Sequence, residues 1–195
     1  MSDPPDANSR TMRNLAAAFA GKSMMRNRYN YFAAKAKKQG FEQIAAIFEE
    51  TAENQLEHAR IFLELMNGDG SLIHIRTNIQ ATKIGSTKAN LECAANEEKN
   101  EAEVIYPKMI AVAEEEGYSE IAEIFTQILE IERNHEARFR SLIQKFETKS
   151  LFKRSTIVRW KCRNCGYIYE GKVAPNVCPA CDHPQGFYQI QEVLE

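Results

Sequence analysis

Two groups of residues in this 195-residue sequence have the types and spacing for metal chemistry. Cys162, Cys165, Cys178 and Cys181 form C-x2-C-x12-C-x2-C, two short knuckles that each present two thiolates to one tetrahedral centre. Spacing alone serves structural zinc as well as iron, with a disulfide framework a distant third because no export signal precedes it. The second group lies in Ile121–Leu142, whose apolar residues Ile121, Ile124, Phe125, Ile128, Phe139 and Leu142 have the spacing of a bundle helix. Glu132 and His135 interrupt that seam. A carboxylate and an imidazole one turn apart on a core face are costly to desolvate unless something pairs them. Glu-x-x-His projecting inward is how carboxylate-bridged di-iron sites are built in helical bundles.

Three further helices are expected to bring partners to this point. The first runs from about Met12 to Lys38, with Leu15, Phe19, Lys22, Met25, Tyr29 and Phe32 on its seam. The second, from Glu42 to about Met66, carries Gln55 and His58, and Asn67–Gly70 reads as its stop. Ser71–Ile84 is too long for a tight turn and reads as a crossover between helix pairs. The third spans about Thr87 to Glu116, carries Glu98 and Glu101, and should be kinked or irregular at Pro107. Seven polar residues thus fall at one level of four seams: Lys22, Gln55, His58, Glu98, Glu101, Glu132 and His135. Alone, any of them would be a satisfied buried polar group; together they favour iron, manganese or zinc. Tyr29 and Tyr106 read equally as core aromatics and as hydrogen-bond partners of the site carboxylates.

The fold class follows: an all-α four-helix bundle over residues 12–147, a linker over 148–157, and a small β/loop metal module over 158–195, preceded by a disordered tail over 1–11. Trp160, Tyr167, Tyr169 and Phe187 are expected to form that module's core, and Cys93 to be a small buried apolar residue. Gly40-Phe41-x-x-Ile44-Ala45-x-Ile47-Phe48 repeats as Gly117-Tyr118-x-x-Ile121-Ala122-x-Ile124-Phe125 at an offset of 77, which also pairs Tyr29 with Tyr106, Gln55 with Glu132 and His58 with His135. The bundle therefore reads as a duplicated helical hairpin with a pseudo-twofold through its centre. A net charge of −2 gives no reason to invoke nucleic acid or an anionic membrane surface, and no apolar run approaches spanning length. A cytoplasmic protein is expected.

LAAAFAGKSMMRNRYNYFA, IFEETAENQLEHA, EVIYP followed by EEEGYSEIAEIF, and CRNCGYIYE with CPACDHPQGFY together resemble the rubrerythrin family, over about residues 12 to 190. The resemblance implies a ferritin-like domain with a non-haem di-iron site and a rubredoxin-like Fe(Cys)4 domain. It implies reduction of hydrogen peroxide with electrons passed from the cysteine-bound iron, a redox donor protein or reductase, and a head-to-tail homodimer. Its ligands fall on His58, Glu98, Glu101, Glu132 and His135. Two ligand positions depart from its pattern: Lys22 and Gln55 stand where glutamates are expected. Glu57 cannot replace Gln55, because it lies about 200° away around the helix.

Three arrangements are consistent with those departures. Glu98, Glu132 and His135 hold one metal while the Lys22 ammonium fills the other half; or His58 and Glu101 keep a second metal and Lys22 swings outward; or Lys22 salt-bridges Glu98 or Glu101 and no metal binds. Three functions are read: a peroxide reductase; an electron-transfer or metal-binding protein whose bundle site is impaired, mononuclear or filled by lysine; and a structural protein with a zinc ribbon.

Overall fold

The computed structural model describes residues 4–66, 70, 72–77, 79 and 81–191. Residues 67–69 of the helix stop assigned to Asn67–Gly70, residues 1–3 of the tail and the end of the last domain lie outside them. Helices α1 (Arg10–Lys38) and α2 (Glu42–Met66) form one antiparallel hairpin. The second comprises α3 (Thr87–Asn100), a π-helical turn (Glu101–Ile105), α4 (Tyr106–Glu115) and α5 (Ser119–Glu147). Gly40 and Gly117 close the hairpins with φ of 77° and 84°, a conformation that costs glycine little.

The polar level divides the bundle interior into two apolar clusters. Tyr29, Phe32, Phe48 and Phe139 centre the one at the Gly40 end, and Leu15, Phe62, Tyr106 and Phe125 the other. Lys22, Gln55, Glu98 and Glu132 are fully buried between them.

The irregularity expected at Pro107 is the π-helical turn just before it. The amide of Tyr106 donates to the carbonyl of Glu101, five residues back. Its origin is legible in the repeat. Leu15 and Leu91, Ala18 and Ala94, and Lys22 and Glu98 match at an offset of 76, while Tyr29 and Tyr106 match at 77. One residue has been added to the second copy's helix, and the wide turn absorbs it. Without it Tyr106 would sit about 80° around the helix from Glu98; with it the two share a face. The pseudo-twofold mate of Lys22 is thus Glu98, and that of Glu101 is Met25.

The duplication is also visible in the caps. Gln39 Oε1 accepts from the amide and hydroxyl of Thr87, both at 2.7 Å, tying the end of α1 to the start of α3. Its mate Glu116 accepts from the amide and hydroxyl of Thr11 at 2.8 and 2.7 Å, tying the end of α4 to the start of α1. The tail expected over residues 1–11 is therefore shorter. Helix α1 begins at Arg10, capped by Ser9, and Thr11 is buried because Glu116 satisfies its polar groups.

The expected linker over 148–157 is also shorter. Strand β1 (Lys153–Cys162) starts inside it and is central in an antiparallel sheet with β2 (Ile168–Val173) and β3 (Tyr188–Ile190). Trp160 and Tyr188 fill the module's core, with Phe187 packed against it. Tyr167 and Tyr169 are not core: they are 37% and 39% exposed, since a three-stranded sheet has one face to bury. Gly186 seats the module on the α1–α2 corner; a Cβ there would meet the carbonyl oxygen of Gly40 at 1.7 Å.

Hydrogen bonds from Thr11 and Arg10 overcome partial burial and lower the Glu116 carboxyl to about 2. The stability it adds should be full above about pH 4.5 and lost as pH falls toward 2. Glu116→Gln should keep the cap, as Gln39 does, yet cost about 1–2 kcal/mol at pH 7. Urea unfolding at both pH values checks this: the difference from wild type should vanish near pH 2.

Candidate metal centre

Glu132 on α5 stands at the middle of the polar level, and its two oxygens face different neighbours. Oε1 accepts from Lys22 Nζ at 2.7 Å and lies 3.1 Å from His58 Nδ1. Oε2 lies 3.0 Å from His135 Nδ1 and accepts from Gln55 Nε2 at 3.1 Å. Gln55 also donates to Glu98 Oε1 at 3.2 Å, and the Tyr29 hydroxyl donates to that atom at 2.7 Å. Lys22 completes the layer by donating to Glu101 Oε2 at 2.5 Å, with its ammonium 5.4 Å from the centroid of the Tyr106 ring. The structure thus brings together all nine bundle residues singled out by sequence, and Lys22 takes Glu101 and Glu132 rather than Glu98. Cys93 is half-buried against the Gly40-end cluster and remote in role from this layer.

Burial and charge set the protonation of the layer. Burial opposes the Lys22 ammonium, but Glu101 and Glu132 outweigh it and hold its pKa well above the ordinary lysine value. Burial would raise Glu132; Lys22 and the two histidines overcome it and hold the carboxylate well below its ordinary range. Glu98, buried beside Glu132 and without a direct cation, is pushed well above its ordinary value. Glu101 is raised by burial to about 7, with Lys22 working against the rise.

Ligand atoms of Glu98, Glu132 and His135 lie within 4.8 Å of one another. Glu98 Oε2 and Gln55 Oε1 are buried without hydrogen-bond partners, a costly condition that a cation would relieve. His135 offers a second sign. Its Nε2 faces Asn54 Oδ1 at 3.3 Å while Nδ1 faces Glu132. A neutral ring has one proton for these two acceptors. A proton on Nδ1 serves Glu132; with the proton on Nε2, toward Asn54, the Nδ1 lone pair is free to face a cation, as a ligating histidine requires. Sequence reasoning missed Asn54, because a polar residue at a helix edge carries no periodic signal.

The cysteine site has the dimensions of a tetrahedral centre. Cys162 and Cys181 sulfurs are 3.8 Å apart, and those of Cys165 and Cys178 3.7 Å. Metal–sulfur bonds of about 2.3 Å give edges close to this, whereas a disulfide needs about 2.05 Å. The knuckles are matched: Gly166 N donates to Cys162 O and Asp182 N to Cys178 O, each at 2.9 Å. Asp182 adopts the left-handed conformation, φ 57°, where Gly166 has 80°; aspartate tolerates it better than most residues. The backbone amide of His183 lowers the Cys181 thiol to about 6, favouring the thiolate that metal binding needs.

A four-helix bundle with a carboxylate–histidine core, followed by a four-cysteine sheet module, defines a class of non-haem iron protein. Residues 13–143 match the family model for rubrerythrin, and residues 160–189 that for the rubrerythrin rubredoxin-like domain. The rubrerythrins of Porphyromonas gingivalis and Nitratidesulfovibrio vulgaris are each 45% identical, over 93% of this chain and 90% and 94% of theirs. Fully reduced, all-ferrous nigerythrin has a similar structure, with a TM-score of 0.64 at 30% identity over 98% of this chain and 91% of that one. The chain belongs to the rubrerythrin family. Its bundle is ferritin-like, and both ligand groups fit iron.

Lys22→Met should leave Glu101 and Glu132 without their counter-charge. Metal-free protein is expected to lose about 3 kcal/mol at pH 8, and less below about pH 7, where Glu101 takes up a proton. Urea denaturation measures this, and a loss under about 1 kcal/mol would show that the ion pairs are not the layer's main charge balance.

Proposed function

We propose that this protein is a cytoplasmic oxidoreductase that reduces hydrogen peroxide to two waters. Two electrons come from a redox donor protein or reductase through an iron held by Cys162, Cys165, Cys178 and Cys181, and two protons from solvent. The observation carrying this reading is the coexistence, in one chain, of the four-thiolate cluster and the buried Glu98–Glu132–His135 group. Iron bound at Glu98, Glu132 and His135 would supply electrons to the oxygen–oxygen bond. The remaining steps belong to the chain's own side chains. The Tyr29 hydroxyl holds Glu98 Oε1 in place, and Asn54 orients His135. Glu101 lines a cavity of about 560 Å³, with Gly21, Met25, Asn100 and Tyr106. With a pKa of about 7 it can take a proton from that cavity and pass it toward the buried layer.

The docking of the cysteine module supports a head-to-tail homodimer. It sits on Gly40, and Lys22 lies 18 residues back along α1, about 27 Å away. A partner chain's module could approach the bundle centre more closely than the chain's own. Among the described residues no helix is long and apolar enough to cross a membrane.

A second reading, an electron-transfer or metal-binding protein with an impaired bundle site, is favoured by Lys22 lying on two of the three carboxylates. Stopped-flow mixing of the reduced protein with hydrogen peroxide separates the two. Peroxide reduction predicts rapid return of the oxidised four-cysteine absorbance, slowed at least about tenfold by Glu132→Ala. Slow oxidation indifferent to that substitution would leave the second reading.

A further inference from the structure

The metal-ligating group has a mate across the pseudo-twofold, and the mate cannot bind metal in the same way. Glu98, Glu132 and His135 correspond to Lys22, Gln55 and His58. An ammonium and a neutral amide stand where two carboxylates would complete a second set. The orienting residue is missing too: Asn54, which faces His135, corresponds to Ile131, which has no hydrogen-bonding side chain.

The geometry places the ammonium where a second cation would lie. A carboxylate bridging two metals gives one oxygen to each. On Glu132, Oε2 is turned to His135 and Gln55, and Oε1 accepts from Lys22 at 2.7 Å beside His58. Glu101, the other acid on that side, is held by the same ammonium at 2.5 Å. Lys22 has no exposed surface, and apolar clusters lie above and below it. With all three carboxylates ionised, as pairing with cations requires, they and one ammonium leave −2, which one divalent ion cancels; a second would bring the buried layer to +2. The atoms still unpaired and buried include Glu98 Oε2, on the one carboxylate of the three that Lys22 does not hold.

We propose that the bundle holds one divalent metal, at Glu98, Glu132 and His135, and that the Lys22 ammonium is the built-in cation of the other half. This rests on the reading of the bundle as a metal site but not on peroxide turnover. Lys22 replaces the second metal as counter-charge to Glu101 and Glu132. It offers no redox equivalent and no vacant coordination position, so the bundle contributes a mononuclear centre.

Metal content and magnetic resonance test this on the full-length chain. Anaerobic reconstitution with ferrous iron should give about two irons per chain, one of them in the four-cysteine centre. Apoprotein loaded with manganous ion should give the six-line spectrum of an isolated ion in the bundle. His135→Ala should abolish that signal and His58→Ala should leave it. The Lys22→Glu, Gln55→Glu double variant should gain one metal and show exchange-coupled manganese. Three irons per wild-type chain, a coupled spectrum in wild type, or equal loss in the two histidine variants would overturn the proposal while leaving the bundle a metal site. One iron, confined to the cysteines, would overturn that site as well. Should the double variant not fold, the histidine pair decides.

Discussion

The structure depends on how the two oxygens of one buried carboxylate are shared. Glu132 sits at the centre of the bundle, and its charge must be balanced on both sides. On one side the balance is built in, because the Lys22 ammonium belongs to the chain and reaches Glu101 as well. On the other side Gln55 and His135 supply dipoles rather than a fixed charge, and Glu98 is driven toward its neutral form by burial beside Glu132. A buried ion pair of the first kind gives specificity more than stability. The second arrangement brings carboxylate and imidazole donors within reach of one another, as a cation site requires.

The duplication explains why so few substitutions have so large an effect. A pseudo-twofold bundle presents each ligand type twice, so one altered copy is read directly against the other. Glu98 and Lys22, Glu132 and Gln55, and Asn54 and Ile131 differ; His135 and His58, and Tyr29 and Tyr106, do not. Both lost carboxylates, at Lys22 and Gln55, fall in α1 and α2, whereas Ile131, which leaves His58 without the counterpart of Asn54, lies on α5. The second copy carries the inserted residue, and the π-helical turn that accommodates it keeps Tyr106 at the level of the site.

Much of this was legible in the sequence, for identifiable reasons. The four helices and their polar level follow from long, strongly periodic seams, and the cysteine knuckles from spacing that few other structures require. What was not legible lay in non-periodic contacts. The start of α1 at Arg10 depends on Glu116, over a hundred residues away. The start of β1 at Lys153 depends on pairing with Val173, and Tyr188 rather than Tyr167 or Tyr169 fills the small core because of strand order. A single repeat offset concealed the inserted residue; only the π-helical turn showed that Lys22 corresponds to Glu98. That Lys22 would choose Glu101 and Glu132 over Glu98 could not be read from helical positions alone.

The central claim is that the two halves of the bundle site differ because a lysine holds one of them. An anomalous-difference crystal structure of the iron-loaded protein tests it most directly. The account predicts one bundle peak, bounded by Glu98, Glu132 and His135, with Lys22 Nζ still within hydrogen-bonding distance of Glu132 Oε1. Two bundle peaks, with Lys22 displaced and Glu132 bridging them, would contradict it.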